Sequence, residues 1–397
     1  LARLSELPGG LTRIVLSPEQ RQANDLVLGW MREAGMHARL DAMGNCIGRY
    51  EGDRPGLPCL MLGSHLDTVR DAGKYDGMLG VVVAIECVHA LHLRGVRMPF
   101  AIEVVGFSDE EGVRFNVTLL GSRAIAGTFR PEALEAVDRN GVKLRDAMVQ
   151  FGLDPAAIES AARRRREVLA YAELHIEQGP VLEAEGLPVG VVTAISGASR
   201  YSVEIEGEAG HSGTVPMNLR RDALVAAAEC VLEIERLCAR MRGLVGTVGK
   251  LETFPGAVNV VPGRVKFSVD IRSPHDSVRE EAAMDVFAAI AAVGERRKVK
   301  VTATKTHEGR TAPCAEWLMA QIAEAVEAEG ITVRELPSGA GHDGMAMIDL
   351  ADIAMLFVRC EKGISHNPAE AITLADVAIG ARVFLRFIER FDPSRKR

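Results

Sequence analysis

The sequence predicts an α/β fold, a mixed-sheet α/β/α catalytic domain interrupted by an inserted α+β domain of four antiparallel strands and two helices. Three observations carry that expectation. Strand-length apolar runs alternate with helix-length patterns through the first half of the chain, as in a sheet covered by helices. Near residue 195 the period switches to strict apolar–polar alternation, the mark of antiparallel strands with one wet face. From about Cys314 the helix–strand alternation returns, and a length of 397 residues exceeds what one core usually serves.

Residues 57–63 (LPCLMLG) read as a buried strand, followed by a loop over 64–77 and a helix over about 79–93. Residues 100–107 (FAIEVVGF) form a second buried strand that ends at Ser108-Asp109-Glu110-Glu111. Residues 170–174 form a third, ending at His175. All three motifs fall just beyond strand carboxyl ends, where open α/β sheets hold their ligands. In the insert, 201–206 and 265–272 alternate as strands, 298–304 offers another, and about 218–241 and 277–293 are amphipathic helices. A strand over 351–359 and a closing helix over 374–391 complete the first domain. The expected division is 1–194 with 307–397 for a di-metal catalytic domain, and 195–306 for an inserted lid and dimerisation domain. Internal repeats and low-complexity tracts are absent from the sequence.

A net charge of −7 and a pI near 5.9 argue against nucleic-acid binding. The basic runs Arg163-Arg164-Arg165-Arg166 and Arg395-Lys396-Arg397 read as a solvated helix face and a polar tail. Seven scattered cysteines without C-x-x-C spacing point to a reducing, cytoplasmic setting. No apolar run reaches the roughly 18 residues of a membrane span. The chain starts at Leu1 without an initiator Met, so a short preceding piece is expected.

Several side chains suit a metal. His65 and Asp76 offer imidazole nitrogen and carboxylate oxygen from one strand-end loop. Asp67, two residues after His65, is placed to accept the ring's other N–H and fix its tautomer. Alone, His65 would read as a structural histidine and Asp76 as a loop acid before a helix. The adjacent acids Glu110 and Glu111 change that reading, because burying both is costly unless metals or protons compensate. On an extended backbone they diverge, so one binds metal while its neighbour takes a proton from water. His175 and His366 add imidazoles at two further loops.

The strings GSHLDTV-x6-DG, SDEEG, ELHIEQGP, EGEAGHSGTVPM, NVVPG, DIRSP, SGAGHDGMAM and SHNP span nearly the whole chain. In these the sequence resembles the dinuclear metal-dependent aminoacylase/carboxypeptidase superfamily. More narrowly it resembles the carbamoylase branch, with its N-carbamoyl-L-amino acid hydrolases, β-ureidopropionase and allantoate amidohydrolase. The resemblance implies one metal on His65, Asp76 and His175, and a second on Glu111, His366 and the same, bridging Asp76. It makes Glu110 the base that activates a bridging water, and His175 the mark of the carbamoylase branch, where peptidase relatives carry a carboxylate. His211 would polarise the scissile carbonyl, often from the partner subunit, an effect on the order of 3 kcal/mol per donor. Arg272 would clamp the substrate carboxylate through its planar fork. Asn259 and Gln178 match further substrate positions, and His342 sits at the pocket border or supports a ligand from behind.

The implied activity is hydrolysis of the carbamoyl or ureido C–N bond of a small carboxylate, with the motifs inclining to a ureide such as allantoate over an N-carbamoyl-L-amino acid. The alternatives are an aminoacylase or peptidase acting on N-acyl amino acids or dipeptides, and a binding protein that has kept the fold. The implied cofactors are two divalent ions, Zn²⁺ first, with Mn²⁺, Ni²⁺ or Co²⁺ suiting the same donors. A homodimer through the inserted domain is implied as well, with no nucleic-acid or membrane partner.

Overall fold

The computed structural model describes residues 1–396. The chain forms two compact units, one running to Thr193 and resuming at Pro313, the other Ala194–Ala312. The first unit opens on a helix, Pro18–Glu33. The Ser17 side chain caps it by accepting the Gln20 N–H, and proline fills its first turn. Strands β1 (His37–Leu40), β2 (Cys46–Tyr50), β3 (Cys59–His65), β4 (Ala101–Phe107), β5 (Val168–Ile176) and β6 (Val189–Ile195) follow. Nearly every position of β3, β4 and β5 is buried, which is why they read as continuous apolar runs. The opening helix and β1–β2 had no such run to mark them.

The second unit holds β7 (Gly197–Glu206), β8 (Gly210–His211), β9 (Val245–Thr247), β10 (Leu251–Phe254), β11 (Val260–Val261), β12 (Arg264–Ser273) and β13 (Lys300–Gly309). Its main sheet is antiparallel, in the order β10-β12-β7-β13, with β9 also on β12. The expected count of four strands is thus corrected to five. β10 pairs with residues 264–267 of β12 and β9 with 270–272, so the fourth position is filled by a strand broken at 248–250. Helices Ala223–Cys238 and Asp276–Arg297 pack on the buried face, over Val203, Ile205, Val265, Phe267, Val269 and Ile271. The opposite face keeps Lys266, Ser268, Asp270 and Arg272 part-exposed.

The chain then adds β14 (Ala312–Pro313), β15 (Glu335–Ser338) and β16 (Ile353–Val358), and closes with helix Leu374–Arg390. The large sheet runs β1-β2-β4-β3-β5-β16-β6-β14, with β15 beside β6. Its centre, β4-β3-β5-β16, is parallel throughout. Four strands therefore end at one sheet edge. The apolar helix Met78–Leu93 packs across β3 and β5. Its Gly80 approaches so closely that a Cβ would lie 2.2 Å from the Leu174 carbonyl oxygen. The basic run 163–166 is not a helix face: residues 165–167 form one 3-10 turn leading into β5. At the other run, Arg395 and Lys396 pair with Glu324 and Asp352, while Arg397 lies outside the described residues. No helix is long and apolar enough to cross a membrane among the described residues. All seven cysteines are buried free thiols.

Two glycine substitutions should separate backbone approach from helix propensity. Gly29, inside the first helix with nothing within 4 Å of an added Cβ, should gain about 0.5–1 kcal/mol as Gly29→Ala. Gly80→Ala should instead cost about 1–3 kcal/mol by forcing the helix off β5. Urea unfolding midpoints of the two variants should move in opposite directions.

Candidate metal centre

The centre stands at the carboxyl ends of the four parallel strands. His65 is the last residue of β3, and His175 is the penultimate residue of β5. Both lie within the sheet ladder, opposite Phe107 and Phe357, and not in the loops beyond it. Their backbones are therefore fixed by the sheet. Glu110 and Glu111 follow β4 after a two-residue bend, Asp76 lies two residues before the helix Met78–Leu93, and His366 lies in the segment after β16.

These side chains converge on the Asp76 carboxylate. Its Oδ1 lies 3.4 Å from His65 Nε2 and 3.1 Å from His175 Nε2. Its Oδ2 lies 3.1 Å from His366 Nε2, which is also 3.6 Å from Glu111 Oε1. Two donor groups result, His65–Asp76–His175 and Asp76–Glu111–His366, each with its ligand atoms within 4.8 Å of one another. Ligand atoms that share a tetrahedral Zn²⁺ at 2.0–2.1 Å stand roughly 3.3 Å apart. The observed spacings bracket that value.

The tautomers give the stronger argument. His65 Nδ1 lies 3.0 Å from the Asp67 carbonyl oxygen, and His175 Nδ1 lies 2.9 Å from the Ile176 carbonyl oxygen. A carbonyl only accepts, so each Nδ1 carries a hydrogen, and in the neutral ring Nε2 is the lone pair that faces Asp76. The Gly77 N–H, 3.1 Å from His175 Nε2, agrees with that assignment. With both rings neutral, two lone pairs and a carboxylate oxygen face one another, a contact that a proton on Nε2 or a metal ion between them relieves. The acceptor for His65 is the Asp67 backbone and not its carboxylate, which corrects the expected role of Asp67. That carboxylate takes the backbone N–H groups of Glu110 (3.0 Å) and Glu111 (3.2 Å), so it sets the turn that presents both acids.

The surroundings are acidic. Burial drives the Glu110 carboxyl well above its usual range; His65 pulls it down, but Glu111, Asp343 and Asp67 add to the rise. Burial also lifts Glu111, to about 7. Burial acts to lower His65, yet Asp76, Glu110 and Asp67 carry it well above its ordinary value. Asp76 moves the other way: despite burial, His175, His366 and His65 hold it well below the carboxylate range. Each shift reports a pocket short of positive charge. Asp109 and Asp343 are buried as well, and burial drives both carboxyls well above their usual range.

Further residues brace the ligands. Glu370 Oε1 accepts the N–H groups of Tyr75 (2.7 Å) and Asp76 (3.2 Å), fixing the backbone that carries the shared ligand. The Ser365 hydroxyl lies 2.9 Å from Asp76 Oδ2 and 3.1 Å from Glu370 Oε2. Gln178 donates to Asp76 Oδ2 at 2.8 Å, so its amide stands at the ligand set. His342 is fully buried, 4.5 Å ring to ring from His175, with Nε2 2.7 Å from Ser338 Oγ. Sequence reading missed Glu370, Ser365, Asp109 and Asp343. The signal available was an acid four residues past His366 and acids beside motif residues already singled out.

The remaining predicted residues lie in the second unit. His211 pairs with Val260 in the β8–β11 ladder, and just beyond it the Ser212 N–H donates to the Asn259 carbonyl at 3.0 Å. The Gly213 N–H donates to His211 Nδ1 at 3.1 Å, which leaves the hydrogen on Nε2 of the exposed ring. Arg272 is held by Asp270 through Nε (2.9 Å) and Nη2 (3.1 Å).

The family model described as Peptidase family M20/M25/M40 matches residues 61–390. An N-carbamoyl-L-amino acid amidohydrolase from Geobacillus stearothermophilus is 44% identical over 375 residues, 94% of this chain and 92% of that one. Allantoate deiminase 1 of Glycine max is 40% identical over 421 residues, 98% of this chain and 87% of that one. A crystal structure of a hydantoinase/carbamoylase family amidase from Burkholderia multivorans superposes with a TM-score of 0.92 at 32% identity, covering 99% of this chain and 95% of the other.

The buried acids predict how the metal-free chain responds to pH. Glu111, at about 7 in the folded state against 4.5 otherwise, binds more protons folded than unfolded across that window. Glu110, Asp109 and Asp343 shift in the same direction. Stability should therefore fall as pH rises through the window, by the linkage of proton binding to folding. After chelation, the melting temperature should drop between about pH 5 and about pH 8, and the drop should be smaller in protein loaded with a divalent ion. Parallel melting curves across that range would contradict the assignment.

Proposed function

This chain belongs to Peptidase family M20/M25/M40, and on that footing we propose that it is a metal-dependent amidohydrolase of carbamoyl or ureido C–N bonds in small carboxylate substrates. The single observation that carries the chemistry is Asp76, whose Oδ1 faces the imidazoles of His65 and His175 and whose Oδ2 faces His366, itself beside Glu111. His65, His175 and Asp76 would hold one divalent ion, and Glu111, His366 and Asp76 the other. Bound there, such ions acidify water towards a pKa of about 7 and polarise a carbonyl. Imidazole and carboxylate donors suit Zn²⁺ first, with Mn²⁺, Ni²⁺ and Co²⁺ as alternatives.

The protein's own groups then divide the work. Glu110 shares a cluster with His65 and Glu111 and is the member left outside both ligand sets. It takes the proton of the attacking water and passes it to the leaving nitrogen. His211, with the hydrogen on Nε2, donates to the carbonyl oxygen as negative charge develops there. Arg272, oriented by Asp270, binds the substrate carboxylate, with Asn259 beside His211. Gln178 acts from the ligand set. An N-carbamoyl substrate yields an amino acid and carbamate, which breaks down to CO₂ and ammonia.

Two relatives of different printed activity match at 44% and 40% identity, so substrate choice within the class calls for assay. We place N-carbamoyl-L-amino acids first on that panel and allantoate second. The enzyme works in the cytoplasm, where seven free thiols stay reduced, and as a homodimer through the second unit. Support for the dimer is β13, an end strand whose outer edge has no partner strand among the described residues.

Glu110→Gln should keep both metals and lose on the order of 10²–10⁴ in kcat, the usual worth of a positioned base. Metal retention with near wild-type turnover would remove Glu110 from the mechanism. Arg272→Ala should chiefly raise KM for carboxylate-bearing substrates, read from initial-rate ammonia release, and an unchanged KM would remove the clamp. N-acetyl amino acids turning over faster than N-carbamoyl ones would favour an aminoacylase.

A further inference from the structure

We infer that the first unit carries a second ligand site, remote from the metal centre, for a small carboxylate or phosphate monoester. A cavity of about 570 Å³ lies against β1, β2 and the starts of β3 and β5, and is walled by the basic run that precedes β5. That volume is within the roughly 300–1,000 Å³ of small-molecule sites. β3 runs from Cys59 at the cavity to His65 at the metal centre, so the two sites are separated by about 20 Å of strand.

Its polar wall is built in layers. Glu103, buried in the apolar strand β4, is opposite Arg49 in the ladder and receives Arg49 Nη1 at 3.0 Å and Arg163 Nη2 at 2.8 Å. Arg49 is otherwise committed, to both oxygens of Glu51 and to the Leu57 carbonyl. Arg163 gives a single hydrogen bond to Glu103, which leaves the rest of its guanidinium to the cavity. Arg39 and Arg166, also lining the cavity and both exposed, make no side-chain hydrogen bond or ion pair among the described residues. The lining acids are Glu51, Glu103 and Glu167. The first two are neutralised by Arg49 and Arg163, and a Glu167 oxygen accepts the Arg164 N–H.

Guanidinium groups with uncommitted donors are suited to bidentate capture of carboxylate or phosphate oxygens. Among the described residues no Phe, Tyr or Trp lines the cavity, and His37 is its one aromatic ring. Ile47, Leu57 and Pro58 offer room for a short aliphatic body. The chemistry therefore fits a compact organic anion, and it gives the 163–166 run a function beyond solvation.

The test is calorimetric titration of the metal-loaded full chain with phosphate and, separately, with succinate. The metal centre can itself bind oxyanions, so the same titrations are run on His65→Ala and on an Arg39→Ala/Arg166→Ala double variant. At least one probe should bind saturably in wild type, persist in His65→Ala, and weaken about tenfold or more in the double variant, whose hydrolytic kcat/KM should stay at wild-type level. Binding of phosphate alone or succinate alone identifies the anionic head. Absence of saturable binding by both probes, or affinity unchanged in the folded double variant, overturns the site.

Discussion

The structure depends on one carboxylate. Asp76 sits buried with imidazole Nε2 atoms from β3 and β5 facing one oxygen, and His366 facing the other. Backbone carbonyls hold the β3 and β5 rings with Nε2 inward, so the contact is relieved by a proton on Nε2 or by a metal ion. Leaving a buried charge without its partner costs about 3–5 kcal/mol. Here Glu110, Glu111, Asp109 and Asp343 stand close by as well. A divalent ion on each side of Asp76 would neutralise the whole arrangement, and the proposed metal-dependent chemistry rests on that.

The scaffold spends rigidity on this point. Parallel strands supply His65 and His175 from within the ladder, and Gly77 leaves the space beside His65, whose ring an added Cβ would meet at 2.4 Å. Gln178 and His366 adopt left-handed backbone with φ of 57° and 54°. For residues with a side chain that costs about 1 kcal/mol or more each, and such strain gathers where function demands a particular direction. Glu370 and Ser365 tie the segment carrying His366 back to the Asp76 loop. The ligand set is thus held by both long-range ends of the first unit.

The α/β class and the side chains that converge on Asp76 were legible because their signals are local. Continuous apolar runs marked β3, β4 and β5, and strand-end motifs marked His65, Glu110, Glu111 and His175. What was missed is non-local or weakly patterned. β1 and β2 lack an apolar run, and the split of β9 from β10 appears only against β12. The Asp67 carboxylate was assigned to a ring N–H that a backbone carbonyl already accepts, because sequence spacing does not tell main chain from side chain. The arginines at 163–166 looked like a solvated face until Glu103, the one charged residue in β4, was seen to bind Arg163. Glu370 gave no signal of its own beyond its distance from His366.

The most direct measurement is a crystal structure of the chain grown with a divalent transition metal, with anomalous data collected at that metal's absorption edge. Two peaks are predicted, one between Asp76 Oδ1 and the His65–His175 pair, the other between Asp76 Oδ2 and Glu111–His366. No peak at Asp76 in active protein, or metal bound only elsewhere, would contradict the account.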